Sequence, residues 1–392
     1  MTPADITILG AGVAGLTAGL ALARRGWRVR VLEQAPALAD LGAGLQVSPN
    51  GLAVLRALGL EEALMAHTLA SEGAVLRDGL SGADVARIPL SDRYRLTHRV
   101  ALIGILAEAA REAGVDLRLG QRIEDLTLGA PVRLHLAGGE KVETGLVIGA
   151  DGIKSKLRRA LEPAAAPRFT GQVAWRALLP DLCDTPDAAH VFMGPGRHVV
   201  RYPVLTEDGT RLINLAAVQE RESWAEEGWS QEDDPANLRA AFADFAPEVT
   251  ELLSRVERTY LWGLFLHPVA RQWGWAEGEA AALVIGDAAH ATLPFLAQGA
   301  NMALEDAWVL ADCLEAGASA REAFDAFQAA RAPRVTRIVG EASANARRYH
   351  LSGIKRHVGY AGLRLISAAA PGFLTRRYDW LYNADVTRGA AV

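Results

Sequence analysis

An apolar run at residues 5–9 breaks into Gly10-Ala11-Gly12-Val13-Ala14-Gly15 and resumes as an Ala- and Leu-rich stretch to residue 25. This order of strand, G-x-G-x-x-G loop and helix constrains the chain more than any other feature. Gly10 permits the tight turn, Gly12 lets backbone approach a pyrophosphate, and Gly15 lets helix and strand pack closely. The start of the helix then aims unpaired amides at the phosphates. Gly26 stops the helix and residues 27–32 read as a second strand. Glu33 follows, 18 residues after Gly15, where a carboxylate meets ribose hydroxyls. The glycine spacing alone is a weak signal. The βαβ order around it makes a dinucleotide the expected ligand.

Two later segments have the same design. Residues 146–158 read LVIGADGIKSKLR, and residues 282–301 read ALVIGDAAHATLPFLAQGAN. Each is an apolar strand ending in a Gly/Asp turn. One cofactor held by three distant segments accounts for all of them.

The length of 392 residues suits two or three domains, or one large α/β unit with an insertion. A net charge of -5 without a basic block argues against nucleic acid as partner. Cys183 and Cys313 are too far apart for a metal or redox pair, and a reducing, cytoplasmic setting is expected. The apolar run at 6–22 lacks a basic n-region and carries the glycine loop, so it reads as buried strand and helix. No membrane span is expected.

A short helix is expected at 49–58, a longer one at 99–113, and strands at 115–119, 132–136 and 146–148. After Pro163 the pattern changes. Residues 172–179, 190–193, 198–204 and 212–218 are strand-like and separated by Gly/Pro turns, which favours a mostly antiparallel sheet. Residues 224–237 read as an acidic surface loop and 242–253 as one helix. The parallel-sheet pattern returns at 282–285, followed by a helix at 301–313 and a long Arg-rich helix, or pair of helices, at 319–346.

Together GAGVAG, GADGIKSKLR and GDAAHATLPFLAQGAN resemble the motifs of the single-component FAD-dependent aromatic hydroxylases, a family of flavoprotein monooxygenases. The likeness is to the salicylate and 3-hydroxybenzoate hydroxylase-like branch, and YDWLYNAD at 378–385 adds to it. It implies an α/β fold with a glutathione-reductase-type FAD-binding domain (1–165 and 282–345), a mixed, largely antiparallel β-sheet substrate domain (166–281) and C-terminal helices (346–392). Gly10, Gly12, Ala14, Gly15, Glu33, Gln34 and Arg99 are the implied FAD contacts of the first part of the chain. Asp151, Asp287, Gly299, Ala300 and Asn301 are those of the later motifs. Asp287 is expected on a ribityl hydroxyl, or on phosphate through water. Asp151 links the FAD and NAD(P)H regions, and His290 reads as structural.

The resemblance also implies a reaction. NADH or NADPH reduces the flavin, O2 gives a C4a-hydroperoxide, and a small phenolic acid such as salicylate or 3-hydroxybenzoate is hydroxylated. Period 2 puts His198, Val200 and Tyr202 of RHVVRYPV on one face of a strand. In similar enzymes a histidine and tyrosine so spaced line the substrate cavity, the histidine taking the phenolic proton. Gln298, Pro294 and Gln46 are the other implied groups near substrate. Two departures stand out. His267 occupies the place of a usual arginine, and Ala297 precedes Gln298 and Gly299 where a glycine is usual. The alternatives are an N-heterocycle, a larger polycyclic substrate, or a flavin-binding redox sensor without turnover. A monomer or homodimer fits equally.

Overall fold

The strand Asp5–Leu9 lies inside a six-stranded sheet, with order Gly274–Glu277, Ala280–Val284, Leu146–Gly149, Asp5–Leu9, Arg28–Leu32, Asp116–Arg118. All its pairings are parallel except the Gly274–Glu277/Ala280–Val284 hairpin. Ile6, Ile8 and Leu9 are buried together with Thr7, as befits a strand covered on both faces. The helix Val13–Ala23 packs against this sheet with every residue from Val13 to Leu22 buried. A helix enclosed on all sides needs no polar face, which explains its uniform Ala/Leu composition. The computed structural model describes residues 5–38, 44–91, 93–224 and 231–389.

Register does the decisive work. Leu9 lies beside Gly149, and Gly149 beside Val284. The carboxyl ends of three strands are therefore level. The glycine loop, the Asp151 turn and the Gly286-Asp287 turn emerge side by side at the edge where open α/β sheets bind ligands.

A second, eight-stranded sheet runs Glu232–Asp233, Thr259–Leu266, Arg168–Pro180, Arg211–Glu220, Arg197–Leu205, Ala188–Gly194, Gly73–Asp78, Asp84–Pro89. Its pairings are antiparallel apart from Ala188–Gly194 with Gly73–Asp78. Residues 73–89 thus leave the 1–165 span to join the second sheet, and Gly274–Glu277 joins the first. Sheet membership does not follow the boundary expected at residue 165. Trp175, Phe192, Val199, Phe242 and Phe245 form an apolar layer on the outer face of this sheet. Of the expected helix at 242–253 only Pro247–Ser254 is helical, and a separate helix, Pro235–Ala241, precedes it and begins within the expected acidic loop. Pro247 opens the helix Pro247–Ser254 at its first position, and a proline's missing N–H suits a first turn, not a helix interior. Residues 225–230 of the expected acidic loop lie outside the described part.

Helix Gly299–Ala316 packs beside Val13–Ala23, and Ala320–Tyr349 runs from it to the second sheet. Gly353–Ala369 and Pro371–Arg376 pack against Asp84–Pro89. Among the described residues no helix is long and apolar enough to cross a membrane.

Candidate active site

One cavity of about 770 Å³ opens between the level strand ends and the inner face of the second sheet. At one end it is lined by Gly12, Ala14, Arg99, Asp287, Gly299 and Ala300. At the other it is lined by His198, Val200 and Tyr202, the face expected from period 2. Their neighbours Val218, Ala216 and Asn214 continue that face across the next strand. Arg197 and Arg201 point to the other side, where they meet Asp244 and Glu248.

The glycine loop is built for close approach. Gly10 has φ +99°, and a Cβ there would stand 2.5 Å from Ala150 O. A Cβ on Gly15 would stand 1.9 Å from Gly10 O, so a side chain at this position would push the loop off its own helix. A Cβ on Gly12 would meet nothing within 4 Å, which leaves the loop open on its outer side. Glu33 holds the loop from below, accepting from Ala11 N at 2.7 Å and Ala35 N at 2.8 Å. Each oxygen of an ionised carboxylate retains a further acceptor site toward a ribose. Gln34 beside it is exposed.

Asp151 accepts from Lys156 N at 2.9 Å through Oδ2, while its buried Oδ1 has no partner. Burial raises its pKa against the pull of Ser155 and nearby backbone amides. Arg158 donates to Ala289 O at 3.0 Å and Pro268 O at 3.2 Å, tying the second motif to the third. Asp287 is exposed at the cavity. The turn before it is held by Asp306, which accepts from Gly286 N at 2.9 Å, His290 Nε2 at 2.5 Å and Arg331 Nε at 2.7 Å. Burial would raise the Asp306 pKa, but His290 and Arg331 outweigh it and hold it at about 2. His290 is therefore a buried structural partner of Asp306.

The loop at 294–301 departs from expectation in its side chains. Pro294 opens a 3-10 turn on the cavity wall, and Ala297 has φ +52°, the conformation that a glycine would adopt without strain. Gln298 lines the cavity, but its amide donates to Ser48 Oγ at 3.0 Å and accepts from Asn50 Nδ2 at 3.2 Å. The amide expected to face substrate is committed to a buried polar network. Asn301 is committed likewise, donating to Gln46 O and Ala297 O at 2.9 Å and accepting from Ser48 N at 3.0 Å. It anchors strand Gly44–Val47 to the start of helix Gly299–Ala316. Of Gly299, Ala300 and Asn301, the first two line the cavity.

Gln46 also lines the cavity, its Oε1 accepting from Tyr94 Oη at 2.8 Å. Burial pushes the Tyr202 phenol up to about 12. His267 is on the wall as well. His198 is fully buried at the wall among Phe295, Tyr349 and His350. Burial, and then His350, hold its pKa well below the usual histidine value, so the ring is neutral. Its Nδ1 lies 2.7 Å from His350 Nε2, while Nε2 has no partner among the described residues.

Several wall residues went unseen in the sequence: Tyr94, Arg176, Tyr349, Arg348 and Arg377. They carry no joint spacing signal, because apart from the adjacent Arg348 and Tyr349 they come from separate parts of the chain. Tyr378 and Tyr382, also on the wall, belong to the YDWLYNAD segment that the family resemblance had marked.

Residues 3–342 match the family model described as FAD binding domain. The chain is 37% identical over 365 residues to a 3-amino-4-hydroxybenzoate 2-monooxygenase of Streptomyces cremeus, covering 88% of each. It is 31% identical to a 3-hydroxybenzoate 6-hydroxylase of Polaromonas naphthalenivorans, covering 98% of this chain and 97% of that one. A salicylate hydroxylase solved as a substrate complex shares the fold at TM-score 0.80 and 23% identity, covering 99% of this chain and 97% of that one. The chain belongs to the single-component flavoprotein monooxygenases, close to the salicylate and 3-hydroxybenzoate hydroxylases. It is an FAD-dependent monooxygenase with that family's architecture.

Proposed function

We propose that the chain uses NAD(P)H and O2 to hydroxylate a small phenolic acid of the hydroxybenzoate or aminohydroxybenzoate type. The observation that carries this is one cavity joining the three dinucleotide turns to a wall with a neutral, unpartnered histidine nitrogen. FAD supplies, when bound, hydride acceptance and oxygen activation. Gly10, Gly12, Ala14 and Gly15 seat its pyrophosphate, Glu33 its adenosine ribose, and Arg99 its phosphates. Asp287 would hold the ribityl chain, and the amides of Gly299 and Ala300 would donate to the flavin ring and stabilise its negative charge when reduced. Asp151, with its unpaired Oδ1, would link the flavin and nicotinamide regions.

On the substrate side, His198 Nε2 accepts the phenolic proton, which makes the ring electron-rich. Burying a nitrogen without a partner costs about 1–3 kcal/mol, and a donating phenol relieves that cost. Tyr202 and Gln46 orient the substrate, and the apolar walls exclude water. The 88% overlap with an aminohydroxybenzoate monooxygenase supports this substrate class.

The test is NAD(P)H oxidation by the FAD-loaded chain with a panel of hydroxy- and aminohydroxybenzoates, with products analysed by mass. At least one acid is expected to speed oxidation and to gain one oxygen atom. Oxidation that no aromatic acid accelerates, with no oxygenated product, would overturn the reading.

A further inference from the structure

Behind His198 lies a chain of groups that the hydroxylase reading does not use. His350, at the end of helix Ala320–Tyr349, is buried at 7% exposure. Its Nε2 faces His198 Nδ1 at 2.7 Å, and its Nδ1 faces Glu220 Oε1 at 2.8 Å. Glu220 ends strand Arg211–Glu220, and 56% of its side chain is exposed. A carboxylate only accepts, so Nδ1 of His350 carries the proton and Nε2 is bare. His198 Nδ1 must then donate to His350 Nε2. His198 Nε2 is left as a bare acceptor at the cavity wall. Every proton in the chain is thus set by the carboxylate at its solvent end. Gln172 Nε2 also lies 3.3 Å from His350 Nδ1; amide orientation is assigned from such contacts, and a protonated Nδ1 requires the flipped amide, with its oxygen toward His350.

We propose that His198, His350 and Glu220 form a proton relay from the cavity to solvent, with His350 and Glu220 as positioning residues for His198. This rests on the hydroxylase reading. The substrate phenol gives its O–H proton to His198 Nε2. His198 Nδ1 passes its own proton to His350 Nε2, and His350 Nδ1 passes its proton to Glu220, which releases it to water. The reverse sequence reprotonates the product phenolate and restores the starting tautomers. Neither imidazole needs to hold a full positive charge in its buried site, because each gains a proton on one nitrogen as it loses one from the other. The other polar or titratable groups around the pair are Tyr349 and Arg348 on the helix and Gln172 on strand Arg168–Pro180. Arg348 is directed to Glu341 and Asn345.

The experiment uses the FAD-loaded full chain with 3-amino-4-hydroxybenzoate as probe. Nitrogen-15 NMR of labelled histidine reads the tautomers, and stopped flow with a pH indicator reads proton release on probe binding. Wild-type protein is expected to show His198 protonated on Nδ1 and His350 on Nδ1. Glu220→Gln and His350→Gln are expected to keep FAD and slow proton release by roughly 10-fold or more, with Glu220→Asp recovering most of the rate. An Nε2-protonated His198 in the wild type overturns the relay. So do unchanged release rates in both variants. If wild-type protein turns over no phenolic acid, the hydroxylase reading fails on its own, and the tautomer spectrum still decides the chain.

Discussion

At the scale of single residues, the chemistry depends on atoms left without partners and on atoms that leave no room. His198 is the first kind. Replacing it with alanine is expected to keep FAD bound and lower coupled hydroxylation by about 10²–10⁴-fold near neutral pH. The ratio of oxygenated product to NAD(P)H consumed measures this, and normal coupling in the variant would remove His198 as base. Because burial and His350 depress its pKa, the base form persists on acidification. The acid limb of the hydroxylation pH profile is therefore expected below the usual histidine value, read from kcat/KM between pH 5 and 8. Gly15 is the second kind. Its neighbour Gly10 O stands 1.9 Å from where a Cβ would be. Gly15→Ala is expected to yield protein purified without flavin, visible as lost absorbance in the flavin bands.

At the scale of elements, helix Gly299–Ala316 is the part that organises the flavin end. Glu305 and Asp306, adjacent on it, are both buried and hold Arg331, with Arg334 adding to Glu305. Arg331 is only 1% exposed, so its charge has no recourse to water. Asp306→Ala removes one of its two carboxylates and also frees the Gly286 amide. Loss of a partner in a buried pair costs about 3–5 kcal/mol, which urea unfolding of the variant can measure. The same residue shapes acid stability. Its folded pKa of about 2 lies below the unfolded value near 3.8. Its contribution is complete above the unfolded value and disappears as pH falls toward 2. Unfolding free energy is expected to drop across that window in the wild type, and less so in Asp306→Ala.

At the scale of the whole molecule, the two sheets share one ligand site. Strands from 73–89 cross into the second sheet, and the helix Ala320–Tyr349 delivers Tyr349 to the cavity wall. FAD bound there is expected to stabilise the chain as a unit. Flavin at 100 times its Kd adds about 2.7 kcal/mol. Differential scanning calorimetry should show one transition that moves up with FAD. Two separate transitions, of which only one responds, would contradict a shared site.

Much of this was legible in the residues. The glycine loop, the two Gly/Asp turns, the strands that end in them and the His198–Tyr202 face all follow from local patterns: glycine spacing, buried apolar runs and period 2. Those patterns are short-range, and sequence records them directly. The fates of Gln298, Asn301 and residues 73–89 were not legible. Whether an amide faces a cavity or a neighbouring loop depends on which strand lies opposite, and that is a pairing between distant segments. The same holds for His350. It is 152 residues from His198 in the chain and 2.7 Å from it in space. The sequence by itself determined that the chain is an FAD-binding monooxygenase, because the motifs that mark that family are short and local. Only the tertiary structure decided which side chains remain free to meet a substrate, because hydrogen bonds formed between distant segments consume the rest.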